Sequence, residues 1–266
     1  MNMLGSYIPS DSFLHRQDDT IRLLSFILLF ILIASSEGIA GYIVSFAVIL
    51  IVYRMGKLSL MNTLRSLRRF NAFFITVFAM NAFFQPSDDP IFSFWFIVFS
   101  LRGIILGFDM VLRVIFAVFL SAALTASSTP IAITDGIRTL LHPLSYLHIP
   151  VDEAASVLSI AISLIPIIAG ESREIILSER ARGVIPEDNS KAKARALSVA
   201  PLIIPLFLAA FRRAENLGTA MEARGYQSGG KSRRRIRLSV GKNEIILIAF
   251  SIFSLSISLF VKEIII

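Results

Sequence analysis

Two short stretches of this chain share a pattern that could grip a charged partner. Ser178-Glu179-Arg180-Ala181-Arg182-Gly183 and Ala220-Met221-Glu222-Ala223-Arg224-Gly225 both end on Ala-Arg-Gly, with Glu179 three residues before Arg182 and Glu222 two before Arg224. Glycine adopts the left-handed conformation without a Cβ clash and so closes a helix. Gly183, with Pro186 beyond it, and Gly225 are therefore predicted helix stops. An arginine just before such a stop sits at the negative end of the helix dipole, which when exposed contributes about 0.3–1 kcal/mol. That accounts for one instance. Two instances on one basic stretch point further. A planar fork of five donors, projected from a helix end beside a small alanine, suits an acidic groove on a partner. Two such ends suggest two partner subunits, or one dimer with two grooves. The helix leading to the second end is legible: Phe207, Ala210, Phe211, Ala214, Leu217, Gly218 and Met221 recur at three and four as one apolar stripe. Arg212, Arg213, Glu215, Asn216, Thr219 and Glu222 lie largely off it.

Other chemistry-bearing residues lead elsewhere or nowhere. Gly225-Tyr226-Gln227-Ser228-Gly229-Gly230-Lys231-Ser232 fits the phosphate-binding pattern GxxxxGK[ST] letter for letter. That mechanism needs a strand before the loop and a helix after it, so that backbone amides meet the phosphates. Here a helix precedes, and Arg233, Arg234, Arg235 and Arg237 follow, so a basic loop against headgroups or a partner is the better reading. His15, His142 and His148 are scattered and make no metal-ligand spacing. With no cysteine, disulfides and thiolate chemistry are excluded. Glu171 and Glu174, near Arg173 and Ser178, read as ion-pairing residues. Arg102, Asp109 and Arg113 stand inside an apolar block, where charges are costly and pair or line a path. Asp109 and Arg113, four apart, suit an internal ion pair or a functional contact. No catalytic residue, metal ligand or cofactor site is assigned.

The elements that must carry the two helix ends are mostly apolar. The 266 residues are 55% hydrophobic and 17% charged, against roughly 25% charged in soluble chains, and the apolar residues come in blocks. The net charge of +7 fits inward-facing basic loops better than a nucleic-acid partner. Met1 to Arg22 is polar with both charge signs and shows no cleavable signal peptide. Leu23 to Val52 is broken at Ser35-Ser36-Glu37-Gly38, which predicts a tight hairpin of two short spans. Arg54, Lys57, Arg65, Arg68 and Arg69 follow with no acid among them, so this loop should be cytoplasmic. A span over about 70–85, an acidic outer turn at 85–90 and a span near 104–125 come next, with 91–101 lying shallow or tilted. Gly103 and Gly107 form one GxxxG, read as close helix packing.

The character changes after Ser127: 127–242 holds 16 of the 26 Lys and Arg and should lie inside. Two apolar runs within it, 154–169 with Pro166 and 197–211 with Pro201 and Pro205, read as helices too short to span, since 15 residues reach only roughly 22 Å of a roughly 30 Å core. The cluster Lys191, Lys193 and Arg195 argues against placing 171–196 outside. The expected fold is thus all-α and polytopic, with about five transmembrane helices and a cytoplasmic domain of amphipathic coupling helices. The N-terminal membrane domain is 1–126, with spans near 23–36, 39–53, 70–85 and 104–125. The coupling domain is 127–242, and 243–266 is a C-terminal transmembrane helix. The N-terminus is expected inside.

On these residues the chain resembles the transmembrane T component of energy-coupling factor (ECF) uptake transporters. The resemblance is carried by Gly5-Ser6-Tyr7-Ile8-Pro9 with Ser12-Phe13-Leu14-His15-Arg16, by Thr129-Pro130-Ile131-Ala132-Ile133-Thr134-Asp135-Gly136, and by the paired Ala-Arg-Gly signature, the second extended by Phe211-Arg212-Arg213-Ala214 and Tyr226. It implies a non-catalytic subunit in a prokaryotic cell membrane that clamps two ABC-type ATPases, which bind the ATP. It also implies a separate S component that binds a vitamin or metal ion. Ala181, Arg182, Gly183, Ala223, Arg224 and Gly225 would then dock the ATPases, supported by Glu179, Glu222, Arg212 and Arg213. The apolar faces 154–169 and 197–211 would support the S component. The chain departs from the family at Gln17-Asp18-Asp19-Thr20-Ile21-Arg22, where members often read Leu-Asp-Pro-Arg-Thr-Lys, and at Ala169-Gly170-Glu171-Ser172, where an acidic pair is common. A polytopic membrane enzyme or an autonomous carrier is the competing reading. The first would need a cluster of catalytic groups at the membrane surface, and the second polar lining in several spans.

Overall fold

The computed structural model describes residues 11–84, 92–94, 97–147, 149–183, 192–226 and 241–265. The described residues are helical but for one small hairpin. In chain order the helices are α1 (Asp19–Ser35), α2 (Gly38–Gly56), α3 (Leu60–Leu67), α4 (Asn71–Phe84), α5 (Leu101–Ser127), α6 (Pro130–Leu141), α7 (Val151–Ala181), α8 (Ala192–Ala223) and α9 (Lys242–Ile265). Between α4 and α5, β1 (Phe92–Phe94) pairs antiparallel with β2 (Ile97–Phe99), Phe92 opposite Phe99 and Phe94 opposite Ile97. Within 91–101, expected to lie shallow or tilted, the described residues form this hairpin. Aromatic and β-branched residues form a two-stranded ribbon, the conformation they favour. The acidic turn 85–90 and the phosphate-loop lookalike after Tyr226 fall outside the described residues, as do Gly5–Pro9 and Lys191.

The chain divides into two compact units, one built from Gly5–Leu140 with Arg237–Ile266 and the other from Leu141–Ile236. In the first, α1, α2, α5 and α9 enclose the core, and α4 lies along α5. Phe26, Leu29, Leu32, Val52, Leu120 and Leu247 are fully buried there. The buried polar positions are largely serines. Ser36 Oγ donates to the Leu32 carbonyl at 2.8 Å and meets Ser45 Oγ at 2.6 Å. Ser251 Oγ donates to the Leu247 carbonyl at 2.9 Å. Small residues are what helices need to approach in a lipid solvent, because lipid offers no hydrophobic drive for association.

Arg113 takes a different partner from the one its spacing suggests. The internal ion pair with Asp109 is not formed; Arg113 Nη2 instead donates to the Ser36 carbonyl at 3.0 Å. Ser36 is the C-cap of α1 and is 1% exposed. The guanidinium therefore satisfies a helix-end carbonyl that has no water to pair with, at the negative end of the helix dipole.

The N-terminal segment is held by a buried arginine. Arg22, 3% exposed, donates to the Leu14 carbonyl at 3.0 Å and pairs with Asp19. A Cβ added at Gly136 on α6 would lie 3.1 Å from the Asp19 carbonyl oxygen. Two of the sequence blocks that carry the family resemblance, 12–16 and 129–136, thus flank the same buried turn.

In length, α2, α5 and α7 are each long and apolar enough to cross a membrane. At 17 and 14 residues, α1 and α4 fall short of the roughly 20 that a full crossing takes. The notion that 154–169 is too short to span does not hold. The helix runs unbroken for 31 residues through Pro166, about 46 Å. Proline removes one backbone donor but lets φ stay helical, so it can be accommodated in a long apolar helix. Likewise α8 continues through Pro201 and Pro205 for 32 residues.

The GxxxG of α5 is a true close approach. A Cβ at Gly103 would lie 3.0 Å from the Asn81 carbonyl oxygen, and one at Gly107 3.1 Å from the Phe78 carbonyl oxygen. Both obstacles are backbone of α4 and cannot swing aside. Gly103→Val and Gly107→Val should each destabilise the protein by about 1–3 kcal/mol, the usual cost of overpacking. A thermal melt in detergent checks this, and an unshifted midpoint for both would show that α4 and α5 are not in contact there.

Candidate docking site at two helix ends

Among the described residues, the unit that contains 141–236 is built mainly of α7 and α8 packed on one another. Its helices bury almost nothing: among the described side chains of α7 only Val151 is buried. Both helices close in the way their sequences dictate. Arg182 is the C-cap of α7, and Gly183 follows at φ +74°. The Gly183 amide donates to the Arg180 carbonyl at 2.9 Å, and the Arg182 amide to the Ser178 carbonyl at 3.1 Å. At the end of α8, Gly225 has φ +75°. Its amide donates to the Glu222 carbonyl at 2.8 Å, and the Tyr226 amide to the Met221 carbonyl at 3.0 Å. Those two bonds are the complete Schellman closure. A Cβ at either glycine would meet nothing within 4 Å, so glycine is required by the backbone alone and the space around each end is open.

Ala181, Arg182, Gly183, Ala223, Arg224 and Gly225 are all exposed. The two arginines differ in their tethering. Arg182 Nη1 donates to Glu179 Oε1 at 3.0 Å while its side chain stays 71% exposed. Arg224 carries no ion pair among the described residues. Glu222, two positions back, is on the wrong side of the helix to reach it, whereas Glu179, three back, shares a face with Arg182. The first end therefore presents a braced guanidinium, and the second one with no ion pair among the described residues.

Arg213 belongs to a different part of the machinery. Its Nη2 lies 2.9 Å from Glu171 Oε1 on α7, with both side chains about one-third exposed. This pair fixes where the two helices meet. Arg182 lies eleven residues beyond Glu171, and Arg224 eleven beyond Arg213. Each end thus stands about 16 Å of helix from the same contact. Sequence reasoning saw Glu171 only as a local ion-pairing residue. Its nearest arginine, Arg173, is two positions away, a spacing that does not face it. That mismatch was the one available signal of a partner on another helix. Of the remaining supporting residues, Arg212 and Glu222 are exposed on α8.

The apolar stripe foreseen on α8 is split by the fold. Ala210, Leu217, Gly218 and Met221 are partly covered. Phe207 and Phe211, with ring centroids 6.2 Å apart, stay 61% and 68% exposed. On α7, Val157, Leu158 and Ile165 are also exposed. Among the described residues, no group of three or more His, Asp or Glu is placed to hold a metal ion.

Comparison with known proteins gives this geometry a setting. The family model described as "CbiQ: Cobalt transport protein" matches residues 10–236. The chain is 33% identical over 258 residues to the energy-coupling factor transporter transmembrane protein EcfT of Lactococcus lactis, covering 97% of this chain and 96% of that one. It is 32% identical over 262 residues to the EcfT of Staphylococcus aureus, covering 96% and 97%. With the EcfT of Bacillus subtilis it shares 30% identity over 258 residues, covering 95% of each. Both Ala-Arg-Gly ends lie within the residues that the family model matches. The chain belongs to the CbiQ/EcfT family of energy-coupling factor transporter transmembrane proteins and is a multi-pass membrane component.

Proposed function

We propose that this chain is the coupling subunit that joins two cytoplasmic ABC-type ATPases to a substrate-binding S component, for import of a vitamin or a metal ion. The observation that carries this reading is the pair of exposed Ala-Arg-Gly helix ends, each closed by a left-handed glycine and each equally far from the Glu171–Arg213 contact. On this reading each guanidinium enters an acidic groove on one ATPase. A charge-assisted bond there supplies affinity, and the planar fork supplies orientation. The small Ala181 and Ala223 let the groove wall approach. A hydrogen-bonded helix is stiff along its axis, so movement of an ATPase at either end reaches the Glu171–Arg213 contact with little loss. The exposed apolar faces of α7 and α8 are then surfaces for the S component and lipid.

The same reading places ATP in the partner subunits and leaves this chain non-catalytic, without a cofactor of its own. It places the chain in the cell membrane of a prokaryote, with the N-terminus and both helix ends in the cytoplasm. The basic residues of 54–69 and 127–242 support that orientation.

Three outcomes follow. Arg182→Glu and Arg224→Glu should each cut retention of the ATPases in pull-down by about tenfold or more and reduce uptake. A lost charged hydrogen bond is worth about 1.5–3 kcal/mol, and reversal adds repulsion. Wild-type retention and uptake in the double variant would refute docking at these ends. Gly183→Ala and Gly225→Ala leave the charge in place but force an L-residue into the left-handed region at about 1–2 kcal/mol. ATPase retention should fall about fivefold in each, and equal retention would mean that the cap geometry does not matter. A topology reporter at Asn189 should read cytoplasmic; an external signal is incompatible with contact to cytoplasmic ATPases.

A further inference from the structure

The segment between α2 and α4 combines features that the coupling role does not use. Lys57, the C-cap of α2, turns the chain at φ 51°, and α3 follows as a short amphipathic helix. On α3, Leu60, Leu64 and Leu67 recur at four and three along one face, while Arg65 projects from the other. Arg68 and Arg69 follow in a single turn of 3-10 helix. Arg54, Lys57, Arg65, Arg68 and Arg69 are exposed, and no acid occurs between 54 and 69. Among the described residues, none of these four arginines is in an ion pair; Lys57 Nζ donates to the Asp11 carbonyl. Unpaired guanidinium groups gathered on one short segment form a site for anions.

The apolar side of α3 is not sealed against the protein. Leu60, Met61 and Leu64 are 39%, 58% and 52% exposed. With Phe46, Ile49 and Phe116 of α2 and α5 they line an apolar crevice of about 210 Å³. On the opposite flank of α3, Ser59, Asn62, Thr63 and Ser66 face Ser121 and Thr125 of α5 around a second groove of about 440 Å³. One short helix therefore separates a wholly apolar slot from a groove of mixed lining, and the segment carries exposed cations.

We propose that α3 and its crevice bind an anionic phospholipid. An acyl chain lies along Phe46, Ile49, Met61, Leu64 and Phe116, and the headgroup phosphate meets Arg65, Arg68 and Arg69. The ligand class follows from the juxtaposition. The slot is too apolar for a free anion, and the cations exclude a neutral hydrocarbon as sole occupant. An acidic protein would match the cations but would leave the crevice open to the bilayer. An amphiphile with a negative head satisfies both halves at once. The geometry also fits an interfacial helix, which lies in the headgroup plane with its apolar face down and its basic face toward anionic lipid. Placing the site in the inner leaflet depends on the orientation proposed above; the ligand class does not.

The test uses the full-length chain in nanodiscs of equal phosphatidylglycerol and phosphatidylcholine, extracted into mild detergent, with retained lipid counted by native mass spectrometry. Wild-type protein should retain phosphatidylglycerol in preference. Replacing all three arginines by glutamine (R65Q/R68Q/R69Q) should weaken that preference by about a hundredfold, at roughly 1 kcal/mol per cation near an anionic surface. R65K/R68K/R69K should keep it. Met61→Trp fills the crevice without changing charge and should lower phosphatidylglycerol retention, which keeps the test decisive if the glutamine variant fails to insert. Excess inorganic phosphate should not displace the lipid; displacement would mean a simple anion site. Equal retention of both lipids by wild-type protein, or wild-type retention in Met61→Trp, would overturn the proposal.

Discussion

Backbone polar groups inside a bilayer have no water to bond with, and this constraint organises the first unit of the protein. Helices meet it along their length but not at their ends, where carbonyls are left over. The α1–α2 hairpin puts such an end at Ser36, buried among other helices, and Arg113 of α5 supplies the missing donor. A charge that would be a liability in hydrocarbon thereby becomes the cap of a helix that stops short. Some buried serines follow the same rule: Ser36 donates its hydroxyl to the Leu32 carbonyl and Ser251 to the Leu247 carbonyl of its own helix. Their small size lets α1, α2, α5 and α9 come together without help from water.

The second unit answers the same question in the opposite way. Its helix ends are exposed, and their leftover carbonyls are closed by glycine amides rather than by a neighbouring side chain. The arginine before each glycine is then free to serve something other than its own helix. A buried end consumes its arginine; an exposed end offers one. The contrast between Arg113 on one hand and Arg182 and Arg224 on the other is the physical basis for reading the latter pair as a docking device. The Glu171–Arg213 contact links the two helices, and each end lies the same number of residues beyond it. The two ends are not equivalent: Arg182 is paired with Glu179, whereas Arg224 has no ion pair among the described residues.

Several sequence inferences were decided by local chemistry and others failed for want of tertiary context. Gly183 and Gly225 were legible as helix stops because only glycine takes positive φ freely, and that preference acts without regard to neighbours. The break at Ser35–Gly38 and the close packing at Gly103 and Gly107 were legible for related reasons: each turns on what fits around a backbone. The internal Asp109–Arg113 pair was expected because four residues separate them on one helix. It was displaced by a carbonyl 77 residues away in sequence, on α1. The apolar runs 154–169 and 197–211 misled in another way. Each was measured by its own length, yet α7 and α8 pass through their prolines and continue well beyond the runs. The cost of one missing donor is small against 31 or 32 residues of continuous helix.

Composition and local spacing were enough to mark the chain as a helical membrane protein, to give the charge of its loops and to locate the two glycine-closed helix ends. All of these depend on composition and on spacings within one helix turn, which the chain carries wherever it folds. Only the tertiary structure decided which residues became partners. That Glu171 meets Arg213, that Arg113 closes α1 and that α3 lies over an apolar crevice are facts about residues far apart in sequence. Helix contacts in lipid are selected by shape and by unsatisfied polar groups rather than by a hydrophobic pattern, so no local periodicity announces them.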